Sequence, residues 1–84
     1  MMSFRILWSE SASRQLAKLD RTVTRRIFDR VEGLKENPLR QLRRLVGLPY
    51  FRLRVGDFRV IVEVQEKELM VLVLKVGHRE AIYE

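Results

Sequence analysis

The sequence predicts an α+β fold: an N-terminal strand, a helical hairpin, then a three-strand antiparallel meander, with the helices on one face of a small twisted sheet. Three observations predict it. Residues 50–76 hold three strand-like runs, at about 50–55, 58–65 and 69–76, joined by hairpin-type connections at Val55-Gly56-Asp57 and Gln65-Glu66-Lys67-Glu68. Residues 9–34 place apolar side chains at helical spacing. The chain has 84 residues, a length that fits one domain with a modest core and leaves no room for a second.

Taken in order, residues 3–8 read as a strand with Phe4, Ile6 and Trp8 on one face and Arg5 and Leu7 on the other. Ser9 or Ser11 can cap a short helix carrying Ala12, Leu16 and Leu19. Asp20 reads as a second N-cap. The helix behind it lines up Val23, Ile27, Val31 and Leu34, with Phe28 beside them and Arg21, Arg25, Asp29 and Glu32 outward. Asn37-Pro38 ends it. Residues 39–48, LRQLRRLVGL, form a basic connector with room for a helical turn, punctuated by Gly47 and Pro49. The last run, LMVLVLKV, is apolar on both faces and is expected to be the central, most buried strand.

Composition narrows the chemistry. With no cysteine and one histidine, neither a disulfide framework nor a protein-only transition-metal site is expected, and no cofactor is called for. No apolar run reaches the ~20 residues of a membrane span. The start, MMSFRILWSE, lacks the features of a signal peptide, so a cytoplasmic location is expected. The net charge is +6, and 13 of the 17 basic residues are arginine. Arginine offers phosphate a planar bidentate fork. Residues 43–59 carry five arginines against Asp57 alone, a local +4, whereas residues 60–84 hold three basic and five acidic residues, a local −2. The positive field is focused on the middle of the chain, which points to nucleic acid.

Strand alternation sharpens this. In residues 50–64, YFRLRVGDFRVIVEV, Phe51, Leu53, Val55, Phe58, Val60, Val62 and Val64 are expected to face the helices. Arg52, Arg54 and Arg59 then share the uncovered, exposed side, with Ile61, Glu63 and Gln65, and Lys75 can join them. Plainer roles exist for each. Arg52 and Arg54 could be solvated edge-strand charges, Arg79 could pair with Glu80 or Glu84, Tyr83 could anchor the C-terminus, and His78 reads more readily as structural. Arg40, Arg43 and Arg44 in the connector are candidates for non-specific phosphate contacts. Such a face suits metal-independent RNA cleavage, in which a 2′-hydroxyl attacks the adjacent phosphate and arginines stabilise the extra charge. Proton transfer needs another group, and Tyr83, His78 and Glu63 are the candidates.

These residues resemble the RelE/ParE superfamily of type II toxin–antitoxin toxins, closer to its RelE branch. The likeness rests on Trp8-Ser9 and Ala12, on Leu16-Ala17-Lys18-Leu19-Asp20, on Leu45-Val46-Gly47, on residues 50–61 and on Val76-Gly77-His78-Arg79-Glu80-Ala81-Ile82-Tyr83. It implies a single RelE-like toxin domain over residues 1–84 that cleaves mRNA in the ribosomal 30S A site and halts translation. It implies neutralisation by an acidic RelB-like antitoxin, in a heterotetramer or another hetero-oligomer. Carried over, Arg52 and Arg54 would orient phosphate and Arg59 would stabilise transition-state charge. Arg79 would assist the leaving group, and Tyr83 would stack on a base or move a proton. Arg40, Arg43, Arg44, Lys75 and His78 would contact RNA or the ribosome. Some relatives have lysine where this chain has Tyr50 and Arg52, and the general base stays open. The chain stops at Glu84, without the extra C-terminal helix of some relatives. Two other readings share the fold: a ParE-like inhibitor of DNA gyrase without nuclease activity, and a degenerate toxin that binds only antitoxin or RNA.

Overall fold

Ser9 starts the first helix. Its backbone is extended (φ −66°, ψ 160°), and its Oγ accepts from the Ala12 N–H at 3.0 Å. Asp20 caps the second helix in the same way, its carboxylate accepting from the Thr22 N–H at 3.3 Å. The computed structural model describes residues 3–78. Its elements are β1 (Arg5–Trp8), α1 (Glu10–Ala17), α2 (Arg21–Glu32), two single 3-10 turns (Gly33–Lys35 and Pro38–Arg40), β2 (Arg43–Arg44), β3 (Phe51–Val55), β4 (Phe58–Gln65) and β5 (Met70–His78). Asn37 takes a left-handed conformation (φ 67°) ahead of Pro38. Asparagine tolerates that conformation, and the helical run ends there.

The strands form one five-stranded sheet in the order β1-β5-β4-β3-β2. The expected meander is present as β3, β4 and β5, all antiparallel. Two further pairings enlarge it. β1 runs parallel to β5, and residues 43–44 of the connector pair antiparallel with Arg52 and Phe51. The connector therefore holds a strand as well as the expected helical turn. This moves the centre of the sheet. With two strands on either side of it, β4 is central, and the apolar run of β5 is interior but second from the edge.

One hydrophobic core fills the space between the sheet and the helices. Leu53, Val55, Val60, Val62, Val71, Val73 and Val76 come from the sheet, and Ala12, Ile27, Val31, Leu34 and Leu42 cover them. β-branched residues suit a pleated, half-buried surface, and valine supplies most of the sheet's share. Trp8 stacks on Phe28 with ring centroids 6.2 Å apart, which ties β1 to α2. The β3–β4 hairpin turns on Gly56 and Asp57. Gly56 has φ 59°, and a Cβ there would sit 3.3 Å from the Arg26 guanidinium.

Two substitutions test this packing by chemical denaturation. Leu53 is fully buried under the helices, so Leu53→Ala is expected to lose about 3 kcal/mol. Val46 is 99% exposed at the β2–β3 turn, so Val46→Ala is expected to change stability by less than about 0.5 kcal/mol.

Candidate nucleic-acid interface

Cross-strand partners share a face of the sheet, so the register maps the side opposite the helices. One row reads Arg54–Arg59–Gly77 across β3, β4 and β5. The next reads Arg43–Arg52–Ile61–Lys75 across β2 to β5. A third reads Glu63–Leu72–Leu7 across β4, β5 and β1. Arg52, Arg54 and Arg59 thus lie on one face, as alternation predicts, and Lys75 and Arg43 stand with them. Two arginine pairs face each other directly, Arg54 with Arg59 and Arg43 with Arg52. Like charges placed opposite one another destabilise a sheet.

This face is solvated at its flanks and closed at its centre. Arg43, Arg54 and Lys75 are exposed and Arg52 is half-buried. Arg59 is only 8% exposed and Ile61 only 9%. Arg59 is therefore buried, not exposed as strand alternation alone leads one to expect. β4 has a strand on either side, and Arg59 lies between Arg54 of β3 and Gly77 of β5 at the centre of the face. Removing a guanidinium from water is costly unless its charge is compensated. Glu63, half-buried on the same face, accepts from Gln65 Nε2 at 3.1 Å. It is the one described carboxylate placed on these rows.

The remaining candidates are dispersed. Arg44 is adjacent to Arg43 and therefore points to the helix side, where its guanidinium lies 5.1 Å from the centre of the Phe51 ring. His78 is opposite Phe58, also on the helix side, and meets that ring edge-on at 5.5 Å. Arg40 is exposed in the 3-10 turn outside the sheet. Of the five residues grouped as RNA contacts from sequence, only Arg43 and Lys75 share the face of Arg52, Arg54 and Arg59. Arg79 and Tyr83 lie outside the described residues. Among the described residues no three His, Cys, Asp or Glu side chains group to hold a metal ion. No described helix is long and apolar enough to cross a membrane.

The sequence profile of the family described as "ParE toxin of type II toxin-antitoxin system, parDE" matches residues 6–83. The chain belongs to this toxin family. An Escherichia coli protein described as a RelE-like toxin is 26% identical over 82 residues, covering 94% of this chain and 86% of its own. The toxin–antitoxin complex RelBE2 of Mycobacterium tuberculosis superposes with a TM-score of 0.84 at 24% identity, covering 94% of each chain. The archaeal RelE–RelB complex of Pyrococcus horikoshii gives 0.80 at 26% identity, with 93% of this chain and 97% of that one covered. The family profile carries the ParE description and the individual relatives carry RelE names. The toxin therefore belongs to the RelE/ParE superfamily and has a RelE-like fold.

Proposed function

We propose that this toxin is a ribosome-dependent endoribonuclease that cuts mRNA in the A site and is held in check by a RelB-like antitoxin in the cytoplasm. The observation that carries the reading is the pair of directly opposed arginines on one sheet face, Arg54 with Arg59 and Arg43 with Arg52. Guanidiniums set side by side across the strands fit a polyanion that binds along them. The RelE names of the relatives support the same reading, and their RelB partners support the antitoxin.

In this mechanism the 2′-oxygen bonds to the adjacent phosphorus as the bond to the 5′-oxygen breaks. The 2′ proton leaves to a base, and the departing oxygen takes up a proton. Arg52 and Arg54 orient the phosphate from the solvated flank. Arg59, screened from water at the centre of the face, stabilises charge on the phosphoryl oxygens, where a low local dielectric strengthens the interaction. Arginine keeps its proton near neutral pH, so another group moves the protons. Glu63 is the candidate on this face, and Tyr83, outside the described residues, is the second candidate from the sequence. The register directs His78 away from it. Lys75 and Arg43 extend the phosphate track across the sheet.

A second reading, inhibition of DNA gyrase without RNA cleavage, is favoured by the ParE description of the matching family. The two separate experimentally. Transcript 5′ ends are mapped on translated and untranslated copies of one mRNA after induction, with gyrase supercoiling measured in parallel. The nuclease reading expects cuts in the translated copy only. It expects Arg59→Met to lower cleavage by about 10²–10³, the loss typical of one transition-state contact. Supercoiling inhibition that survives Arg59→Met, with no new 5′ ends, would establish the gyrase reading. Binding of the toxin to a short single-stranded RNA is also expected to weaken with salt. The log–log slope should fall by about 0.7 in magnitude for each phosphate contact removed, as in Arg54→Gln.

A further inference from the structure

β5 does not alternate evenly. Val73 pairs with Val62 and Lys75 with Ile61, so Leu74 has no partner on β4. An extra residue of this kind is a β-bulge, and it reverses the facing of every residue beyond it. Val71 and Val73 face the core. In an evenly alternating strand Lys75 would follow them toward the helices, and Val76 would take the opposite side. Instead Val76 is buried in the core and Lys75 is exposed in the row with Ile61, Arg52 and Arg43.

The bulge is held from outside the sheet. β1 ends at Trp8, opposite Val73, so beyond that point no strand lies beside the outer edge of β5 among the described residues. Side chains at the start and within α1 stand in for the missing strand. Ser9 Oγ donates to the Leu74 carbonyl at 3.2 Å, and Gln15 Oε1 accepts from the Val76 N–H at 2.7 Å. The two bonds bracket Lys75. Ser9 Oγ also caps α1 through Ala12, whereas Gln15 reaches across the gap from mid-helix. A strand edge left without a partner can shift register or recruit another strand.

We infer that Gln15 is a positioning residue for the cationic face: its bond to the Val76 N–H holds the Leu74 bulge and keeps Lys75 in the Arg43–Arg52 row, where it meets RNA phosphate. The contact of Lys75 with RNA rests on the nuclease reading, but the hold of Gln15 on the bulge does not. The test compares the purified parent toxin with Gln15→Leu, which removes the acceptor, and Gln15→Glu, which keeps one. NMR reads the exchange of the Val76 amide and the cross-strand contact between Ile61 and Lys75. Binding is read on a short single-stranded RNA, and cleavage of mRNA on added ribosomes is split into KM and kcat.

In Gln15→Leu the Val76 amide is expected to exchange at least about tenfold faster, as an edge amide released from a hydrogen bond does. The Ile61–Lys75 contact should be lost. KM should rise about tenfold, on the scale of one lost charge-assisted contact, with kcat little changed. Gln15→Glu should restore all three. An unchanged Val76 amide and an intact Ile61–Lys75 contact in Gln15→Leu would overturn the inference, as would a lost contact with unaltered RNA binding. If Gln15→Leu fails to fold, the parent protein still decides, because a Val76 amide that exchanges as fast as an exposed one would overturn it. A parent toxin that cuts no mRNA on translating ribosomes would sink the nuclease reading alone and leave the NMR result to judge Gln15.

Discussion

A single backbone, β4, has to serve two incompatible environments. Phe58, Val60, Val62 and Val64 point toward the helices, while Arg59, Ile61, Glu63 and Gln65 point the other way. Period-two alternation makes this possible, and it makes register unforgiving. A slip of one residue would drive Arg59 among Leu53, Val73 and Val76, where apolar side chains offer a guanidinium no hydrogen-bond partner. The helical hairpin and the meander are arranged around this separation of faces. Both helices lie on one side because only that side of the sheet is continuously apolar.

The cationic side comes at a cost that a small domain feels. A chain of this length buries only about 60–65% of its unfolded surface, so its stability margin is narrow. The opposed arginines, Arg54 with Arg59 and Arg43 with Arg52, occupy sheet positions that could otherwise bury apolar side chains. The tightly packed side compensates, with Ile27, Val31, Leu34, Leu53, Val60, Val62, Val71 and Val73 fully buried. Function and stability are thus divided between the two sides of one sheet. The superposition on RelE structures at about a quarter sequence identity fits this division, because the fold needs the two-sided pattern more than particular side chains.

The edges of the sheet are completed by unlike means. β2 is two residues long and is set by pairing across the exposed 45–49 turn. β1 covers only the first half of β5, and beyond it Ser9 and Gln15 supply polar atoms in place of a strand. Short edge strands and edges covered by a helix both limit unwanted strand addition. They also leave the C-terminal half of β5 free to bulge, and the bulge extends the positive row from β2 as far as β5.

Much of this was legible in the sequence. The two N-caps, the helical stripe of Ile27 and Val31, the meander and the shared face of Arg52, Arg54 and Arg59 follow from local rules: side-chain oxygens at helix starts, a period of 3.6, a period of 2. These depend on neighbours along the chain, so the order of residues suffices to state them. The pairing of Arg43 and Arg44 with β3, the central place of β4, the burial of Arg59 and the bulge at Leu74 depend on partners distant in sequence. Gln15 and Val76 are 61 residues apart, and nothing near either one marks the other. An even alternation read along LMVLVLKV would put Lys75 and Val73 on the same face. Only the contact with α1, together with the competition between Val76 and Lys75 for the core, turns the lysine toward the arginines.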